Sequence, residues 1–254
     1  MHSDATDPGT SPNILVFVPA RGGSKGIPSK NLQGLGNGSL LHWAVAIGQT
    51  VPDTMGVCVS TDHPDIAQAA RDSGAEVLDR PDEISQDHST VVEMLHYHLD
   101  AMDAEGTTPD IIVYLEPTSP FRTLEEIMAC IAALDAGKLD AVATFQALSY
   151  HPSWLVTVDE HCCVQRLMPG RDAWNVAESE DASYALTGAV YVFRVSSFRE
   201  ARPKGIFFGK TGHLVQSSPA IDIDTPFELD TARGMLDYYE HPFFTSLGLI
   251  GDPG

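Results

Sequence analysis

The sequence contains no C-x-x-C pair and no Cys/His set at zinc-ligand spacing. Its four cysteines, Cys58, Cys130, Cys162 and Cys163, therefore predict neither a zinc module nor a dithiol motif. Cys58 falls in an apolar strand-like run and Cys130 in a helical one, where a thiol packs as a small hydrophobe. No run approaches the roughly 20 apolar residues that span a bilayer. The opening MHSDATDPGTSP has neither the basic start nor the apolar segment of a signal peptide. It reads as a flexible leader (1–12), and the expectation is a cytoplasmic protein without a membrane partner.

Cations are also scarce: 15 Lys and Arg stand against 35 Asp and Glu, a formal net charge of −20. That sign argues against nucleic acid, whose phosphates it repels. A small anion is another matter. Distant charges are screened beyond roughly 8 Å in physiological salt, whereas a contact pair near 4 Å is worth on the order of 4 kcal/mol at an effective dielectric of 20. Arg21, Lys25 and Lys30 fall within ten positions of FVPARGGSKGIPSKN (17–31), so the local field there opposes that of the whole chain.

Strand-like runs at 13–20, 55–60, 75–79, 110–115 and 140–145 alternate with helical periods at 39–51, from Pro64 to Gly74, at 89–102 and at 123–137. Ser39 is placed to cap the first helix, and Thr123 with Glu126 forms a capping box. This order predicts an α/β fold, a mostly parallel sheet with helices on both faces. The rhythm breaks over 148–185, which reads as an insertion. It resumes with GAVYVFR (188–194), then AIDIDT and a helix from Pro226 that Thr225 and Glu228 box. One domain over 13–240 is expected, with a tail at 241–254.

In open α/β sheets ligands lie beyond the carboxyl ends of the strands. The 17–31 loop and EPTSPFR (116–122) both follow strands, so they are expected to share one crevice. Glycines let N–H groups turn toward phosphate while cations neutralise it. RGGSKG suits that task, or a solvated turn; it is not a Walker A loop, and GLGNG (34–38) is not G-x-G-x-x-G. In a strand, Asp222 and Asp224 would face one way. Such a pair suits magnesium, which takes a few carboxylates plus water and phosphate oxygens. It equally suits caps before a helix. His96 and His98, two apart on a helix, face different ways and make no zinc pair.

PARGGSKGIPSKN resembles the signature of the acylneuraminate cytidylyltransferases. VSTDHPDIAQAARDSGAEVLDRPDEISQD (59–87), PTSPFR (117–122), GAVYVF (188–193) and IDIDT (221–225) follow in the matching order. The resemblance implies a Rossmann-like fold of the nucleotide-diphospho-sugar transferase type and CMP transfer from CTP to a sialic-acid-like sugar acid. Alternatives are the same transfer to another acceptor, such as a phosphonate, and a non-catalytic nucleotide-binding protein. Arg21, Gly22, Gly23, Ser24 and Lys25 with Lys30 would line the triphosphate, Arg21 and Lys30 nearest the α-phosphate. Asn31 and Arg80 would read cytosine, and Ser89 would contact the nucleotide or cap its helix. Asp222 and Asp224 would hold Mg2+, with Asp224 acting alongside Arg21 and Lys30 in catalysis. Glu116, Thr118, Ser119, Arg122, Thr187 and Gly188 would form the acceptor side, Arg122 contacting a ligand or tying down its own loop. The insertion resembles the family's dimerisation arm, which implies a homodimer.

The acceptor side departs from the family pattern. Glu116 stands where the family has Gln, and Thr187 where it has Asn. An Arg-Gln pair is replaced around Ala177–Glu178. Losing a cation and gaining carboxylates weakens the hold on an anionic acceptor. Glu116 would then pair with an amino group, or cap a loop away from the ligand.

Overall fold

The computed structural model describes residues 12–86, 88–167, 182–236, 238 and 241–251. Nearly all of the expected leader, Ala177–Glu178 within the insertion, and the end of the tail lie outside them.

Strand β1 (Ile14–Pro19) runs through the middle of a seven-stranded sheet. It pairs in parallel with β4 (Thr54–Thr61) on one side and β6 (Ile111–Tyr114) on the other. Beyond β4 lies parallel β5 (Glu76–Asp79). On the far side of β6, β10 (Tyr184–Arg194) runs antiparallel to both β6 and β7 (Ala141–Ala147), and β11 (Thr211–Val215) closes the edge parallel to β7. Two short hairpins stand apart, β2 (Gly34–Leu35) with β3 (Gly38–Ser39) and β8 (Val156–Val158) with β9 (Val164–Arg166).

The central strand is apolar throughout because both its faces are covered. Ile14, Val16 and Val18 pack with Trp43, Val45, Ile66, Ile127 and Leu229, from α1 (Leu40–Gly48), α2 (Pro64–Asp72), α4 (Leu124–Ala136) and α6 (Pro226–Leu236). Leu15 and Phe17 point the other way, to Leu95, Leu99 and Phe198 of α3 (Val91–Glu105) and α5 (Val195–Ala201). A short α7 (Pro242–Ser246) adds Phe244 to the first core, tilted against Trp43.

The expected caps form. Ser39 accepts from the His42 N–H, and Thr123 and Glu126 satisfy each other's backbone donors. At the start of α3 the cap is Thr90 rather than Ser89, because Glu93 lies three residues after Thr90 and completes a box with it. The 221–224 segment, expected as a strand, joins no ladder. Among the described residues no helix is long and apolar enough to cross a membrane.

Candidate active site

A cleft of about 570 Å³ opens beyond the carboxyl ends of β1 and β6, where the sheet order switches direction. The 17–31 loop supplies one wall through Arg21, Gly23, Ser24, Lys25, Lys30 and Asn31. Gly22 lies outside it. Its N–H donates to Asp62 Oδ1 at 2.7 Å, and a Cβ there would meet the His63 ring at 2.7 Å. The turn after β1 is thereby fastened to the end of β4. Asn31 is buried and donates to the Arg21 carbonyl at 3.0 Å, which ties the two ends of the loop together.

The opposite wall is the 222–224 segment. A Cβ on Gly26 would stand 2.0 Å from the Asp224 carbonyl oxygen, so the chain passes there only without a side chain. Lys30 Nζ donates to Asp224 Oδ1 at 2.6 Å. Between the two aspartates Ile223 is fully buried, and its N–H donates to the Thr118 carbonyl at 2.9 Å. Asp222 and Asp224 lie on either side of it and both line the cleft, Asp224 the more open to solvent. The alternation expected of a strand survives without a strand.

Upstream of Asp222, Glu126 is buried and accepts from the N–H and hydroxyl groups of both Ser217 and Ser218 at 2.8–3.1 Å. One carboxylate thus clips the approach to the aspartates onto the first turn of α4.

Arg80 and Ser89 lie at the β5 side of the cleft. The Arg80 guanidinium is largely buried and donates from Nε and Nη2 to the Ile84 carbonyl at 2.8 and 2.5 Å. Ser89 Oγ donates to the Glu83 carbonyl at 3.4 Å.

Of the six residues expected on the acceptor side, Glu116 and Thr118 line the cleft; the other four are absent from its wall. Arg122 is fully buried, and its Nη2 donates to the carbonyls of Glu116 and Ser119. Burial lowers its pKa to about 9 against the pull of Glu116 and Glu126. Ser119 Oγ donates to the Thr187 carbonyl at 3.1 Å, and Thr187 Oγ1 donates to Thr144 Oγ1 at 2.8 Å. Gly188 has φ +72°, and a Cβ there would lie 3.2 Å from Glu116 Oε2. These four residues form a support behind Glu116.

Burial pushes the Glu116 carboxyl up to about 7, helped by the charge of Asp222 and opposed by Arg122 and Lys30. Asp222 is raised too, by burial and by Asp224, with the Thr118 hydroxyl acting the other way. Carboxylates thus crowd this end of the cleft. Among the described residues no group of three His, Cys, Asp or Glu side chains is placed to hold a metal ion. The Asp222–Asp224 pair nonetheless fits magnesium, which completes its shell from water and phosphate oxygens.

Asp62, His63 and Glu126 were not anticipated as parts of the site, nor was the contact of Gly26 with Asp224. Asp62 was findable, since it directly follows β4, where α/β ligand sites gather. Glu126 was legible only as a cap; its serine partners lie some ninety residues away.

A family profile described as Cytidylyltransferase matches residues 15–160. The chain is 29% identical over 219 residues to a CMP-N,N'-diacetyllegionaminic acid synthase of Legionella pneumophila, covering 85% of this chain and 92% of that protein. It is 35% identical over 244 residues to an N-acylneuraminate cytidylyltransferase A of Danio rerio, covering 91% of this chain but 53% of the relative. The chain thus spans about half the length of that relative. A solved CMP:2-keto-3-deoxy-manno-octonic acid synthetase complexed with CTP superposes with a TM-score of 0.65 at 18% identity, covering 89% of this chain and 99% of that one. A 4-diphosphocytidyl-2C-methyl-D-erythritol synthase of Anaerococcus prevotii gives 0.60 at 14%, with 89% and 99% covered. At those identities the two structures speak for the fold alone.

Proposed function

The chain belongs to the cytidylyltransferase family, and on that premise we propose that it transfers CMP from CTP to a sialic-acid-like sugar acid and releases pyrophosphate. The observation that carries this reading is the meeting of two distant segments across one cleft. The glycine-and-cation loop touches the 222–224 segment at Gly26, and Lys30 is bonded to Asp224.

The loop's N–H groups, Arg21, Lys25 and Lys30 would hold the triphosphate, and Asn31 and Arg80 the base. The acceptor hydroxyl gives up its proton to water, its oxygen bonds to the α-phosphorus as the bond to the bridging oxygen breaks, and pyrophosphate leaves. No covalent bond to the protein is needed, so positioning and charge stabilisation carry the rate. Asp222 and Asp224 would hold Mg2+, which when bound neutralises phosphate oxygens and acidifies a hydroxyl. A homodimer formed through the insertion fits the apolar side chains exposed on and beside the β8–β9 hairpin, Trp154, Val158 and Val164 among them.

The test is pyrophosphate release with CTP, UTP, ATP and GTP over a panel of sugar acids, with and without Mg2+. Release from CTP that needs Mg2+ and an acceptor is expected. CTP binding without release from any acceptor would leave a nucleotide-binding protein instead. Sedimentation at micromolar concentration tests the dimer, and a monomer there would refute it.

A further inference from the structure

The cleft runs across the carboxyl edge of the sheet in the order β6-β1-β4-β5. Arg80 follows β5, the glycine loop follows β1, and Glu116 follows β6. Three strand steps of roughly 4.8 Å separate the two ends by about 14 Å. Cations occupy the middle and the β5 end of this cleft, and carboxylates the β6 end.

At that β6 end Glu116 is held from behind. Its carbonyl is fixed by the buried Arg122, and its carboxylate rests against Gly188. The neighbouring hydroxyls of Ser119 and Thr187 are spent on the Thr187 carbonyl and on Thr144. No hydrogen bond from a described residue reaches the Glu116 carboxylate. Arg122, whose charge opposes the rise in the Glu116 pKa, is fully buried; its Nη2 is turned onto backbone carbonyls, and its Nε and Nη1 have no hydrogen-bond partner. Lys30 is engaged by Asp224. Glu116 lines the cleft, and an ammonium placed beside it would draw a carboxyl that burial has raised to about 7 into its ionised form, which only accepts.

From this we infer that Glu116 is a specificity residue that selects an acceptor presenting an ammonium group at the β6 end of the cleft. The inference rests on the CMP-transfer reading above and names the acceptor class more narrowly. A carboxylate gains a charge-assisted bond from an ammonium. It repels a carbonyl or carboxylate oxygen in the same place, leaving both acceptors unpaired. A glutamine would serve either kind of group, because it both donates and accepts.

The experiment uses CTP, Mg2+ and three acceptors: N-acetylneuraminate, 9-amino-9-deoxy-N-acetylneuraminate and N-glycylneuraminate, the last two carrying ammonium groups. Pyrophosphate release gives kcat/KM for the full-length protein and its Glu116→Gln variant, with the KM for CTP as the control. The wild type is expected to favour at least one ammonium acceptor by about tenfold or more, and the variant to lose that advantage at unchanged KM for CTP. Equal use of the three acceptors, or an advantage that persists in the variant, overturns the inference and leaves CMP transfer standing. Release with none of the three while CTP binds overturns both.

Discussion

Lys30 Nζ and Asp224 Oδ1 stand 2.6 Å apart although 194 residues separate them in sequence. The contact joins the cation-bearing loop to the carboxylates opposite, so either side chain reports on both walls of the cleft.

Asp224→Asn keeps the shape and removes the charge. It is expected to lower pyrophosphate release by about a hundredfold or more. The melting temperature should barely move, because this ion pair is exposed on the aspartate side. Wild-type turnover in the variant would remove Asp224 from the chemistry.

Gly26→Ala tests whether the two walls must touch. A Cβ at Gly26 meets a backbone carbonyl at 2.0 Å, and neither partner is a flexible side-chain tip that can swing aside. At Gly23, also on the cleft, a Cβ meets nothing within 4 Å. Calorimetry should therefore show CTP affinity falling by about tenfold or more in Gly26→Ala and little change in Gly23→Ala. Equal affinities in the two would show that the close approach is unimportant.

Glu126→Ala would strip the Ser217 and Ser218 donors of their shared acceptor. The expected loss is on the order of 2 kcal/mol in urea unfolding, because buried Ser218 is left with unpaired donors while exposed Ser217 can turn to water. Glu126→Gln should lose less, since its carbonyl still accepts. An unchanged midpoint in Glu126→Ala would mean that water replaces the carboxylate without cost.

Stability should fall in mild acid through His98. Its Nε2 lies 2.7 Å from Ser60 Oγ in the core, and burial, with Arg80 adding to it, pulls its pKa down to about 4. Between the unfolded value of 6.5 and that value the unfolded chain takes up a proton that the folded chain refuses. Stabilisation is whole above pH 6.5 and is lost as the pH drops toward 4, on the order of 3 kcal/mol over the window. His98→Gln should flatten that part of the pH dependence in unfolding experiments. Parallel curves for the two proteins would show that His98 does not govern it.

The elements that were readable carry their own local cause. Thr123 and Glu126 announce a helix start by spacing alone, and the apolar β1 and β6 announce strands covered on both faces. β11 was not anticipated: TGHLV mixes glycine, histidine and apolar residues at a sheet edge, without period or run. In the 221–224 segment aspartate alternates with isoleucine, which is the pattern of a strand. It alternates through the burial of Ile223 and the Thr118 carbonyl, with no neighbouring strand.

By itself the sequence determined the alternation of strands and helices, the caps, and the gathering of cations and glycines in one loop, because each follows from residues within a few positions of one another. Only the tertiary structure decided which of the marked side chains meet in the cleft. Arg122 and Thr187 carry ligand-binding chemistry but turn to carbonyls and to Thr144 behind the wall, while Glu116 lines the cleft. Which way a polar side chain points depends on which backbone groups across the fold still need a partner, and no local pattern contains that information.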